Sequence, residues 1–338
     1  MFRAVRLNAI TYPTEPVEAR ELARAGAELI EIEGQQPEEI VAAAADCDAL
    51  LVVSSRVPAE VIDRLAKCRV ISRLGAGTDK IDVAAATRNG IVVANVPDFC
   101  QNEQAEHTLT LLLAFARRLP YMTEAMRAAN WTARSQSGVH RIAGRTLGLI
   151  GFGASAQEVA RRAAPFGLRL LAWARTLDKY RQMARELSVE LVDLDRLLAE
   201  SDFVSIHLPL TSETHHLLDA RRLLRMKPTA VLVNTARGAI VDESALVEAL
   251  QERRIAGAAL DVFEGIDVFA LPGTVAKHPL LELDNVLLTP HCAGSSVESS
   301  LDSKSRGARH AAEVLLGRWP PHVVNPKVQP RFPLSPAQ

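Results

Sequence analysis

Short apolar runs alternate with amphipathic stretches along almost the whole chain. Residues 3–10, 28–32, 49–53, 69–73 and 90–95 read as strands, while 15–25, 37–45 and 58–66 repeat apolar positions at helical spacing. Alternation of this kind predicts a parallel sheet with helices on both faces, so the first hundred residues read as one open α/β unit. The pattern then changes. Residues 103–119 (EQAEHTLTLLLAFARRL) form a long predicted helix with an unusually broad apolar face, followed by an irregular stretch through 131–144. A helix that apolar wants burial on more than one side, and is expected to bridge domains and to join a subunit interface. A second alternating series follows, with strands predicted at 146–150, 169–172, 203–207, 230–234, 256–261 and 286–289. A helix at 297–316 and a short extended piece at 323–326 come last, before a proline-containing tail.

One stretch of the second series carries a specific signal. Thr146-Leu-Gly-Leu-Ile-Gly-Phe-Gly-Ala-Ser-Ala156 is an uncharged apolar run ending in glycines, before the helix-forming run 157–164. Gly151 would allow a tight turn, Gly153 would let a pyrophosphate approach the backbone, and Ala156 would permit close helix–strand packing. The phosphates would lie on free amides at the positive end of the helix. The bland alternative is a set of turn glycines after any buried strand. Strand before and helix after favour dinucleotide binding, so 103–295 is expected to be an NAD(P)-binding Rossmann domain. It would be inserted into a flavodoxin-like substrate domain made of 1–102 and 296–338, giving an α/β fold of two parallel sheets.

Composition narrows the partners. In 338 residues, 39 Lys and Arg nearly balance 40 Asp and Glu, so no field of one sign reaches out for nucleic acid or an anionic membrane. No apolar run approaches the ~20 residues of a bilayer span, and Met1-Phe-Arg-Ala-Val-Arg6 lacks a signal-peptide core, which reads as cytoplasmic. Cys47, Cys68, Cys100 and Cys292 are scattered, so neither a disulfide framework nor a zinc site is expected. The adjacent His215 and His216 would diverge on a helix, which speaks against chelation by that pair.

Ligands of open α/β sheets collect at the carboxyl ends of strands. Asn234-Thr-Ala-Arg-Gly238 closes one predicted strand with Arg237, and Thr289-Pro-His291 closes another with His291. An arginine can clamp a carboxylate at two points, and a histidine can exchange a proton near neutral pH. Beside a nicotinamide they would reduce a 2-keto acid. A surface arginine and a strand-capping histidine are the plain alternatives.

Four blocks extend the reading over nearly the full length: Arg73-Leu-Gly-Ala-Gly-Thr-Asp-Lys-Ile-Asp82, the Gly151 turn, the run from Val231 to Phe263, and Asn285-Val-Leu-Leu-Thr-Pro-His291. Together they resemble the D-isomer-specific 2-hydroxyacid dehydrogenase family. Val96-Pro-Asp-Phe-Cys100 with Glu106-His-Thr108 is most similar to its branch of C-terminal-binding-protein-like and phosphoglycerate-dehydrogenase-like members. The resemblance implies that Arg237 holds the substrate carboxylate and carbonyl, that His291 is the acid/base, and that amides around Ala76 and Gly77 bind the carboxylate. It further implies Thr108 and Asp261 at the nicotinamide end, and His207, Pro209, Thr235 and Ala236 along the adenosine and ribose side. Phe152, Ala154 and Ser155 of the glycine turn, and Gly294, would complete the cofactor site. A homodimer is the implied assembly.

The chain departs from the family at two places. The glutamate that pairs with the catalytic histidine, five positions beyond the residue matching Asp261, is Ile266 here; replacement by Asp267 and the absence of any carboxylate are the two leading alternatives, and Glu264 is the weaker third. The strand after the glycine turn ends Ala172-Trp-Ala-Arg-Thr176, with Ala174 where NAD-preferring members carry an acidic residue and Arg175 beside it. That favours NADP(H) over NAD(H). Cys292, next to His291, reads as an inert thiol. Two other functions compete with the enzyme: a dinucleotide-sensing scaffold and oxidation of a small anion such as phosphite.

Overall fold

The computed structural model describes residues 1–135, 139–265 and 277–336. The chain divides into two compact units, Met1–Phe99 with Ser296–Gln338, and Cys100–Ser295.

In the first unit, β1 (Phe2–Arg6), α1 (Pro16–Ala23), β2 (Ala27–Glu31), α2 (Pro37–Ala44), β3 (Ala49–Val52), α3 (Ala59–Ile62), β4 (Val70–Arg73), α4 (Val83–Arg88) and β5 (Val92–Ala94) follow in order. All strand pairs are parallel, in the order β2-β1-β3-β4-β5, the flavodoxin-like arrangement. One face is covered by an apolar cluster that includes Ile40, Val61 and Ile62, and the other by Leu22 with Ala308 and Ala311 of the last helix. α4 went unnoticed in the hydrophobic pattern because six residues, VAAATR, are too few for a helical period to show. Its start is set by Asp82, whose carboxylate accepts the Ala85 amide at 2.8 Å.

The second unit holds α5 (Gln101–Ala116), α6 (Leu119–Arg127), β6 (Thr146–Ile150), α7 (Ala154–Ala163), β7 (Arg169–Trp173), α8 (Arg181–Glu186), β8 (Val189–Leu191), α9 (Leu194–Glu200), β9 (Phe203–Ile206), α10 (Ala220–Leu223), β10 (Val231–Asn234), α11 (Glu243–Gln251), β11 (Gly257–Leu260) and β12 (Val286–Leu288). Its seven parallel strands run β12-β11-β10-β9-β6-β7-β8, so the order reverses between β6 and β9. Such a reversal is a topological switch point, the place where open α/β sheets bind ligands. β6 is wholly buried, as its uncharged sequence requires. The long predicted helix is α5, but the stretch after it is only partly irregular. Arg118 takes a left-handed conformation (φ 49°) that ends α5, and Pro120 then opens α6, where the sequence reading placed no helix.

The chain finishes in the first unit with α12 (Val297–Leu315), started by a Ser296/Ser299 capping box. The extended piece after it hydrogen-bonds the outer edge of β5, through an antiparallel bridge between Ala94 and Val323. Among the described residues, no helix is long and apolar enough to cross a membrane.

Candidate active site

Three neighbouring strands, β10, β11 and β12, deliver Arg237, Asp261 and His291 to one edge of the sheet. Because the strands are parallel and adjacent strands lie about 4.8 Å apart, the first residues beyond them cluster within about 10 Å.

The Arg237 turn is clamped by Asn234, whose Oδ1 accepts the Ala236 amide at 3.0 Å while its Nδ2 donates to the Arg237 carbonyl at 2.9 Å. Gly238 packs so tightly that an added Cβ would meet the Phe263 carbonyl carbon at 2.0 Å. Only glycine lets the β10 and β11 turns approach this closely, which locks Arg237 against the Asp261 strand.

His291 has a left-handed backbone, φ 54°. This costs energy in a non-glycine residue and persists only where neighbours over-determine it. Here the neighbour is Asp261, fully buried. Its carbonyl accepts the His291 amide at 2.9 Å, and its carboxylate accepts the Thr289 hydroxyl (2.6 Å) and the amides of Cys292 (2.9 Å) and Ala293 (2.8 Å). His107 of α5 approaches the same group, with Nε2 3.0 Å from Thr289 Oγ1 and 3.6 Å from Asp261 Oδ1. Burial and the Asp261 charge push the Cys292 thiol up from its ordinary value, so it stays protonated at neutral pH.

At the switch point, Gly151 has φ 98° and its amide donates to the Trp173 carbonyl at 2.8 Å; a Cβ there would meet the His207 carbonyl oxygen at 2.3 Å. Gly153, by contrast, would point a Cβ into open space. It is the N-cap of α7, and no side chain caps that first turn. An uncapped helix start behind an open glycine is what a pyrophosphate requires, so the residues present fit a dinucleotide. Ala156 is fully buried against the sheet, as close helix–strand packing demands.

A chain of hydrogen bonds ties the remaining predicted cofactor residues together. Burial pushes the His207 imidazole down to about 4, so the ring is neutral at pH 7. Its Nε2 lies 2.8 Å from the Ser205 hydroxyl and its Nδ1 3.3 Å from Ser155, whose own hydroxyl donates to Gln104 Oε1 at 2.7 Å. Nδ1 is therefore the protonated nitrogen and Nε2 the acceptor. Gln104 Nε2 donates to the Thr235 carbonyl at 2.9 Å, and the Thr108 and Thr235 hydroxyls lie 2.9 Å apart. Gln104, His107, Ser205 and Thr289 were given no role in the sequence reading, although His107 and Thr289 stand in the blocks that carry the resemblance. Gln104 and His107 stand in the predicted long helix, where only their placement against the sheet reveals a use.

Beyond β7, no carboxylate stands at Ala174, and the Arg175 guanidinium pairs with Glu213 of the loop after β9. The loop carries Pro209, whose carbonyl accepts the Thr214 hydroxyl at 2.7 Å. Asp267 and Ile266 lie outside the described residues. Glu264 is engaged elsewhere: its two carboxylate oxygens sit 2.9 and 3.0 Å from His216 Nε2. The expectation that His215 and His216 diverge is corrected here. They occupy a loop rather than a helix, and the left-handed backbone of His216 (φ 50°) stacks the two rings with centroids 3.9 Å apart. In the first unit, the loop holding Ala76 and Gly77 is fastened by Asn95, whose Nδ2 donates to the Ala76 carbonyl at 2.7 Å. The Val96 amide also reaches the Gly75 carbonyl, at 3.0 Å.

Known proteins show which family this chain belongs to. The model of the D-isomer specific 2-hydroxyacid dehydrogenase NAD binding domain matches residues 109–293. A glyoxylate reductase of Korarchaeum cryptofilum is 42% identical, over 84% of this chain and 84% of that protein. Among solved structures, D-lactate dehydrogenase from Aquifex aeolicus complexed with NAD and lactic acid is 27% identical, with a TM-score of 0.82 over 93% of this chain and 96% of that one. An acyclic imino acid reductase, Bsp5, in complex with NADPH and D-Arg is also 27% identical, with a TM-score of 0.83 over 96% of this chain and 100% of that one. These relatives are reductases and dehydrogenases, which favours the enzyme over the scaffold and phosphite readings. The chain belongs to the D-isomer specific 2-hydroxyacid dehydrogenase family, NAD(P)-binding oxidoreductases that interconvert 2-keto acids and D-2-hydroxy acids.

Proposed function

We propose that the protein reduces glyoxylate or a similarly small 2-keto acid, with Arg237 and His291 as its reacting side chains. The observation that carries the proposal is the delivery of Arg237, Asp261 and His291 by adjacent parallel strands to the sheet edge that also bears the Gly151 turn. The 42% identity to a glyoxylate reductase supports the choice of substrate class.

When bound, the dinucleotide supplies or accepts the hydride. Arg237 grips the substrate carboxylate and stabilises the oxyanion developing on the keto oxygen, where a fixed charge is most effective. His291 gives that oxygen a proton in reduction and takes it back in oxidation. Asp261 holds the His291 turn and presents its edge to the nicotinamide end together with Thr108 and Gly294. His207, Pro209, Thr235 and Ala236 line the adenosine and ribose side, and Phe152, Ala154 and Ser155 the pyrophosphate.

The cofactor we propose is NADP(H), on the strength of Ala174 and Arg175. The Arg175–Glu213 ion pair stands between that arginine and a 2′-phosphate.

Steady-state turnover of glyoxylate, hydroxypyruvate, pyruvate and phosphite with each cofactor tests the reading. His291→Asn is expected to lower kcat about 10²–10⁴-fold, and Arg237→Lys to lower kcat/KM about 10²-fold because an ammonium cannot reproduce the two-point grip. Wild-type turnover in either variant would sink the assignment.

A further inference from the structure

The loop after β9 brings two imidazoles and a carboxylate to one point on the surface of the second unit. We propose that His215, His216 and Glu264 form a binding site for a divalent transition-metal ion of the Zn2+ class. The three ligand atoms all lie within 4.8 Å of one another. Glu264 Oε1 is 2.9 Å from His216 Nε2 and 3.9 Å from His215 Nε2. Around an ion with bonds of about 2.0–2.1 Å, tetrahedral ligand atoms sit about 3.4 Å apart, so the observed spacings bracket what coordination needs and side-chain rotation closes the difference.

A hydrogen bond between His216 and Glu264 would account for one imidazole, but the geometry concerns two. Consecutive residues present their side chains to one side only if the backbone turns sharply between them, and the left-handed His216 does this. The rings stack at 28° with centroids 3.9 Å apart, and both Nε2 atoms lie within 4 Å of the same carboxylate oxygen. The conformation is held from outside the pair. The His216 amide donates to the Ala239 carbonyl at 2.8 Å, Leu218 to Ile240 at 3.0 Å, and His215 to Thr211 at 2.9 Å. On the other side, Glu243 fixes the third ligand's backbone. Its carboxylate accepts the amides of Glu264 (2.8 Å) and Gly265 (2.9 Å) and meets His278 Nε2 at 2.9 Å. Outer contacts of this kind orient metal ligands.

Two imidazoles and one carboxylate select borderline ions such as Zn2+, Co2+ or Ni2+ over Mg2+ and Ca2+, which prefer oxygen alone, and solvent completes the coordination. The site is open to water, so the ion exchanges freely. A second trio, His107, Asp261 and Cys292, also lies within 4.8 Å, but the Asp261 carboxylate already accepts a hydroxyl and two amides. It is the internal comparison.

The full-length chain, stripped with a chelator, is titrated with Zn2+ by calorimetry and with Co2+ by visible absorption. The variants are His216→Asn, which tolerates the left-handed backbone without supplying an imidazole, Glu264→Gln, which keeps an acceptor for His216, and Cys292→Ser. The expected result is one equivalent of Zn2+ bound at least tenfold more weakly by His216→Asn and by Glu264→Gln, and unchanged by Cys292→Ser. The Co2+ spectrum should show ligand-field bands without thiolate charge transfer. Binding that survives both of the first two substitutions, binding lost with Cys292→Ser, or no binding at micromolar Zn2+ would overturn the proposal.

Discussion

His310 sits in α12 almost wholly buried, its Nδ1 without a hydrogen-bond partner. Burial, then the neighbouring His322, Arg306 and Arg309, push its imidazole from 6.5 down to about 4, against the opposing effect of its hydrogen bond to the Asn95 backbone. The sign of the consequence follows. Between about 4 and 6.5 the unfolded chain binds a proton that the folded chain refuses, so stability is complete above that window and is lost as the pH falls through it. His207 acts in the same direction. Thermal unfolding should therefore show Tm falling by several degrees from about pH 7 to about pH 5, and His310→Leu should shrink that fall to the part contributed by His207; an unchanged slope would contradict the assignment. Arg175 gives a second test at this scale. Its guanidinium and Glu213 are both mostly exposed, 79% and 66%, so the pair itself contributes little to stability. Glu213→Gln should leave Tm unmoved while tightening NADPH several-fold over NADH in fluorescence titrations. Equal gains for both cofactors, or tighter NADH binding throughout, would remove the NADP(H) proposal.

Among the elements, the strand–turn–helix of β6 and α7 separates what folding needs from what ligand binding needs. At Gly151 a Cβ collides with backbone at 2.3 Å from a left-handed φ, so Gly151→Ala should destabilise by on the order of several kcal/mol or fail to fold. At Gly153 the φ of −73° suits any residue and a Cβ meets nothing, so Gly153→Ala should fold with its Tm intact. Its methyl then occupies the face where the phosphates lie, and cofactor affinity should drop about tenfold or more; undiminished affinity would show that the phosphates lie elsewhere. These elements were legible in the sequence because a doubly buried strand, a glycine turn and a helix start are each written in consecutive residues. α6 and β8 were not. α6 does repeat apolar positions at helical spacing, Leu119, Met122 and Met126, but Pro120 at its start reads as a break after the long helix, and three residues of strand show no period.

At the scale of the molecule, α6 and the turn after it leave Leu119 (58%), Met126 (58%) and Trp131 (62%) exposed close together along the chain. Exposed apolar side chains of this kind are the first place to test for the homodimer expected from the sequence. Sedimentation equilibrium should report a two-chain mass, and Met126→Glu with Trp131→Glu should shift it to one chain without lowering secondary-structure content; a monomeric wild type would refute the dimer. The sequence by itself determined the two parallel sheets, the glycine turn and the presence of Arg237 and His291 at strand ends, because burial pattern and turn chemistry are properties of neighbouring residues. Only the tertiary structure decided that Gln104 reaches Thr235 across 131 positions, that Arg175 is paired with Glu213, and that His215 and His216 converge on Glu264. Those contacts depend on where separate loops end in space, and no local period encodes that.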